Sequence, residues 1–168
     1  MFRDEEELKS RVIDWLRNQG FRVARGIRIG SIELDIVATA PLRISREGVV
    51  KDKTWYLYTF EAKIATTRRL ICDLIEQAIT RLLLSDYVLV AVPSKAEVWV
   101  NGKTKEVGEP PQIIKQYTYR VYSRKIGILS VDPSGEVRIV KAPQKSGLTF
   151  EELKEKVLKH LKTKEILK

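Results

Sequence analysis

Four charged side chains stand in segments whose other residues belong in a core. Glu33 and Asp35 lie in Ile32-Glu33-Leu34-Asp35-Ile36-Val37-Ala38, and Glu61 and Lys63 end Tyr58-Thr59-Phe60-Glu61-Ala62-Lys63. A charge on a core strand is costly unless it is paired or liganded. Strand side chains alternate between faces, so each pair is expected to share a face, letting three carboxylates and one amine converge. Hard divalent cations take one or two carboxylates and fill their other positions with water and phosphate oxygens. Asp35 and Glu61 suffice as ligands for Mg²⁺ or Mn²⁺, with Glu33 a further candidate. A lysine two residues after the second carboxylate is placed to orient or deprotonate an attacking water, or to offset charge on a phosphate. The chemistry this set suits is metal-assisted hydrolysis of a phosphodiester. The plain alternative for Glu61 and Lys63 is a solvated cross-strand charge pair.

These residues need strands and helices to hold them. Asp4 to Asn18 carries Leu8, Val12, Trp15 and Leu16 at helical spacing, with acids at its start and Gly20 past its end. Phe21 to Ile29 and Ile32 to Thr39 read as a hairpin around Gly30-Ser31. Pro41 to Thr54 is charged and irregular, an extended turn or a lengthened hairpin before the strand Trp55 to Ile64. Arg68 to Leu84 keeps the helical period with Leu70, Ile71, Leu74, Ile75, Ala78, Ile79, Leu82 and Leu83. Tyr87 to Val92 then reads as a buried strand, and a helix leading into such a strand suggests a parallel crossover. Gly102, Gly108, Pro110 and Pro111 mark a loop. Gln112 to Tyr122 has helical spacing, two strands flank Asp132-Pro133-Ser134-Gly135, and Thr149-Phe150-Glu151-Glu152 is a capping box for a final basic helix. One domain over 1–168 is expected, with a core of about 5–93, added elements over 94–145 and the closing helix over 149–168.

Asp35 followed by Glu61-Ala62-Lys63 resembles the PD-(D/E)XK nuclease superfamily, and Ile-Glu-Leu-Asp-Ile-Val-Ala is similar to the corresponding strand of archaeal Holliday junction resolvases and their relatives. The resemblance implies a three-layer α/β/α restriction endonuclease-like fold with a central mixed sheet, and an Mg²⁺-dependent nuclease, an endonuclease acting on DNA in repair, recombination or defence. Leu34 stands in place of the motif's proline, and 25 residues separate Asp35 from Glu61, more than in compact members. The resemblance also implies a site-facing Gln77 on the helix after the Glu-Ala-Lys strand, and a first-helix glutamate that reaches the metal cluster, with Glu7 preferred over Glu5 and Glu6. An ordinary helix-surface amide and an N-terminal acidic cluster are the alternatives for these two. Members that cut both strands commonly dimerise, which puts a homodimer among the expectations. The alternative function is a nucleic-acid-binding module that keeps the nuclease fold without turnover, as a scaffold or subunit.

The balance of 31 Lys and Arg against 22 Asp and Glu leaves a net charge of +9, which suits a polyanionic partner. DNA is the expected one, bound mostly through its phosphates by Arg25, Arg28, Arg68, Arg69 and Arg81, which lie close in sequence to the acidic set. No stretch approaches a membrane span and the first residues lack a signal peptide's apolar run, so a soluble, intracellular (cytoplasmic) protein is expected. Cys72 and His160 are the only residues of their types, which excludes an internal disulfide and a cysteine-based zinc site. The carboxylates, lysines and amides must therefore carry any chemistry.

Overall fold

The computed structural model describes residues 1–100 and 104–166. Helix α1 (Glu5–Gln19) starts where the Asp4 side chain accepts a hydrogen bond from the Glu7 amide, and it ends at Gly20, whose φ of 105° is the left-handed cap that glycine adopts without strain. Strands β1 (Arg22–Ile29), β2 (Ile32–Ser45) and β3 (Gly48–Ala62) follow as an antiparallel meander. Of the two expectations for 41–54, the lengthened hairpin is the one found. β2 continues through Pro41 by means of a register shift between Ala40 and Leu42, and turns at Arg46-Glu47. Proline donates no ladder hydrogen bond, so an irregularity is the place where a strand accommodates it.

Helix α2 (Arg68–Arg81) is capped by the Thr67 hydroxyl and carries the chain to β4 (Tyr87–Pro93), which pairs parallel with β3. Next come β5 (Ala96–Val100) and β6 (Thr104–Gly108), a small antiparallel pair where the Gly and Pro residues suggested only a loop. Helix α3 (Pro110–Tyr117) is shorter than the spacing of its apolar residues predicts. Its prolines open the first turn, where no amide partner is needed; the expected residues 118–122 leave the helix, and a 3-10 turn over Ser123–Lys125 follows them. Strands β7 (Gly127–Val131) and β8 (Val137–Lys141) and helix α4 (Glu151–Ile166) complete the order. The Thr149 hydroxyl does not serve the capping box. It donates instead to the carbonyls of Ser85 and Leu82, tying the start of α4 to the loop after α2.

The main sheet has strand order β1-β2-β3-β4-β7-β8, mixed in direction and flanked by helices in three layers. Leu8, Val12 and Leu16 of α1 pack with Ile36, Ala38, Tyr58, Phe60, Leu89 and Ala91. Opposite, Ile71, Leu74 and Ala78 of α2 and Ile114 of α3 meet Val88, Val90 and Val92. The residues of β4 thus alternate between the two cores, as a strand covered on both faces must. Val157 and Leu161 seat α4 against Ala24, Ile27, Leu34 and Val37, while Phe150 stays exposed. No helix among the described residues is long and apolar enough to cross a membrane.

Candidate functional site

The ladder between β2 and β3 closes at Ile36 opposite Phe60. Beyond that pair a side chain replaces the backbone: Asp35 Oδ2 accepts a hydrogen bond from the Ala62 amide at 3.1 Å. On the other side of β2, Arg25 pairs with Ile36 and Ile27 with Leu34, and Gly26 between them has a φ of 65°. The regular sheet is thus interrupted around Asp35, and face alternation is lost with it. Leu34 packs with α4 whereas Ile36, two residues on, packs with α1. Glu33 and Asp35 therefore do not share surroundings as strict alternation predicts. Asp35 Oδ1 lies 3.6 Å from Lys9 Nζ of α1, while exposed Glu33 pairs with Arg28 at 3.2 Å.

Glu61 sits near the carboxyl end of a central strand and is only 2% exposed. Arg81, from the last turn of α2, donates through Nε to Glu61 Oε1 at 2.7 Å and through Nη2 to the Glu33 carbonyl at 3.2 Å. Burial, followed by the nearby charge of Asp35, pushes the Glu61 carboxyl up to about 8, with Arg81 pulling the other way. Two carboxylates thus converge on one point, one of them desolvated, which is unfavourable without a compensating cation. Both now have nitrogen partners, Lys9 and Arg81. Among the described residues no group of three or more His, Cys, Asp or Glu side chains is gathered as a metal site.

Lys63 continues the parallel ladder, its amide donating to the Ala91 carbonyl at 3.2 Å, and its side chain borders an open groove. Glu33, Asp73, Glu76, Gln77 and Arg81 line the same groove. Gln77 is thus exposed on the site side of α2. Asp35 and Glu61 do not line it; Glu61 is linked to it through Arg81. Glu7 pairs with Arg3 at 3.0 Å, which holds its carboxyl below the usual range, and its ion pair and hydrogen bonds engage Arg3 and Asp4 rather than the nitrogen partners of Asp35 and Glu61. Glu6 stands nearer the site, with Lys9 Nζ 3.6 Å from its Oε1 and Arg25 paired to its Oε2.

The five arginines expected at phosphates divide into distinct settings. Arg25 and Arg28 are held by Glu6 and Glu33, Arg81 is turned inward onto Glu61, and Arg68 and Arg69 are exposed at the start of α2. Reading the sequence missed Lys9 and the inward role of Arg81. A signal for the second was present: Arg81 follows Leu74 and Ala78 at i+7 and i+3, on the buried stripe of α2, where a guanidinium requires a partner. Lys9 follows Glu6 by three residues, a spacing that suggests only a local helix pair.

No family model matches this sequence, and no curated protein does. Among solved structures the chain is similar to SfsA of Pyrococcus furiosus, determined in complex with Ca²⁺, at 13% identity and a TM-score of 0.30. The similarity covers 83% of this chain, which spans 61% of that one.

Proposed function

We propose that this protein is a divalent-metal-dependent DNA endonuclease of the PD-(D/E)XK type. The observation that supports the reading most is the meeting of Asp35 and Glu61 where the β2–β3 ladder opens, with Lys63 two residues beyond Glu61. The donor set fits Mg²⁺ or Mn²⁺: two carboxylates, no soft ligand, and an adjoining groove with room for water and phosphate. A bound divalent ion would supply Lewis-acid polarisation of the phosphate and stabilise its developing charge. Asp35 and Glu61 would hold the ion, Lys63 would orient the attacking water or take its proton, and Gln77 faces the groove through which that water and the phosphate would enter. Glu33 is a further carboxylate at the rim. Exposed Arg68 and Arg69 neutralise phosphates of the DNA without reading bases.

A second reading is favoured by one observation. The buried Arg81–Glu61 pair already satisfies the charge that a metal would satisfy, as in a nucleic-acid-binding module that keeps the fold without turnover. Calorimetric titration of Mn²⁺ into the wild type and Asp35→Ala at pH 8 separates the two. Binding by the wild type and its loss in the variant is expected; a wild type that binds no divalent ion while still binding DNA overturns the nuclease reading in favour of the module.

A further inference from the structure

Two adjoining stripes of helix α2 border grooves in the surface, although Arg81 and Ile75 within them are themselves buried. One, through Gln77 and Arg81, belongs to the groove beside Lys63. The other, through Arg68, Cys72, Ile75 and Ile79, forms one wall of a second groove of about 670 Å³, a size typical of ligand-binding clefts (roughly 300–1,000 Å³). Its opposite wall is the end of α3 and the segment that follows it: Tyr117, Tyr119, Arg120, Val121 and Tyr122. Glu76 borders both grooves, so they are contiguous across one side chain.

The content of this second groove is unusual for a surface. Tyr119, Val121 and Tyr122 are 69%, 62% and 52% exposed, gathered within four residues. Guanidinium groups are interleaved with the rings, Arg68 Cζ lying 5.7 Å from the centroid of Tyr117 and Arg120 Cζ 5.9 Å from that of Tyr119. Arg68 and Arg69 occupy the first turn of α2, where no acid stands and the helix dipole disfavours cations. Positive charge is thus placed there against local preference. Exposed rings alternating with arginines are the chemistry that takes unpaired nucleotides, since every base offers a face for stacking and every phosphate a charge for arginine. Base pairs in a duplex hide those faces. A second copy of this chain would carry the same cations to the groove and meet like charge.

We propose that this groove is a stacking subsite for a single-stranded segment of DNA, so that the substrate of the neighbouring site carries an unpaired arm or is single-stranded throughout. The placement beside a hydrolytic site rests on the nuclease reading above; the stacking itself does not.

The test is fluorescence anisotropy of labelled oligo(dT) and of a blunt duplex of equal length, in EDTA, with wild type, Tyr119→Ala/Tyr122→Ala and Arg120→Gln. Both tyrosines are exposed, so the variant should melt with the wild type, which circular dichroism checks. Stacking loss of about 1–3 kcal/mol per base predicts roughly tenfold weaker oligo(dT) binding for each tyrosine removed, with duplex affinity changed less than about threefold. Arg120→Gln should weaken oligo(dT) binding and flatten its salt dependence. Equal losses for oligo(dT) and duplex, or no loss for either, overturn the proposal. So does a dimer in the wild type that the tyrosine variant dissolves while oligo(dT) binding persists, which would make the occupant a second copy. A wild type that binds oligo(dT) through the tyrosines but cuts no DNA with Mn²⁺ would leave the subsite standing and sink the nuclease reading alone.

Discussion

Replacing Arg81 by alanine isolates the energetics on which the site is built. The variant leaves Glu61, 2% exposed, without the guanidinium that donates to it at 2.7 Å. Breaking a buried pair by removing one partner costs up to about 3–5 kcal/mol, the full amount being reached at high pH, where Glu61 would otherwise be ionised. For a chain of this size each kcal/mol lowers the melting temperature by about 2–4 °C, so a drop of roughly 6–20 °C is expected there. The loss should depend on pH in a defined direction. The Glu61 carboxyl stands at about 8 in the folded protein against an ordinary 4.5, so between those values the native state keeps a proton that the unfolded chain releases. That group therefore costs stability progressively as pH rises from 4.5 to 8, and the cost is constant above. Arg81 is one of the groups favouring its ionised form, so removing it raises the carboxyl further and widens the deficit with pH. Thermal denaturation at pH 5, 7 and 9 should show the smallest difference between wild type and Arg81→Ala at pH 5 and the largest at pH 9. In Glu61→Leu/Arg81→Met, where apolar groups replace both partners, most of the loss should be recovered. A deficit below about 1 kcal/mol at all three pH values, or one that shrinks as pH rises, would refute the reasoning.

Three further outcomes are expected. Because a ligand carboxylate must be ionised, apparent Mn²⁺ affinity should fall about tenfold per pH unit below 8, with proton release visible as a buffer-dependent heat in calorimetry; an affinity flat from pH 6 to 8 would show that Glu61 is not a ligand. Thr59 is fully buried and its hydroxyl has no hydrogen-bond partner among the described residues, so Thr59→Val should be neutral or stabilising by up to about 1 kcal/mol in urea denaturation, and a clear loss would mean the hydroxyl is engaged. A Cβ at Gly127 would lie 2.8 Å from Leu89 Cγ and 2.9 Å from the Pro143 nitrogen, so Gly127→Ala should cost about 1–3 kcal/mol by overpacking in the same assay.

The periodic parts of the fold were legible because burial imposes them. The α2 stripe and the continuous apolar run of β4 each require a covered face, and the structure covers both. What escaped was set by tertiary context. The β5–β6 pair lies among glycines and prolines that signal turns, and the prolines of α3 start a helix that its apolar spacing would run too far. At the candidate site, Asp35, Glu61 and Lys63 stood out as charges in apolar strands. Their nitrogen partners did not, because Lys9 and Arg81 come from helices whose approach to the sheet no local spacing reveals. The separation of Glu33 from Asp35 was hidden for a related reason: alternation predicts one face, and the interruption at Gly26 and Asp35 undoes it.

Single-turnover cleavage of flapped and single-stranded DNA in Mn²⁺, by wild type, Glu61→Ala and Lys63→Ala, bears most directly on whether Asp35, Glu61 and Lys63 form a hydrolytic centre. Cutting by the wild type, slowed about a hundredfold or more in each variant, is the expected result. Unchanged cutting by Glu61→Ala, or a wild type that binds Mn²⁺ and DNA yet leaves every substrate intact, would contradict it.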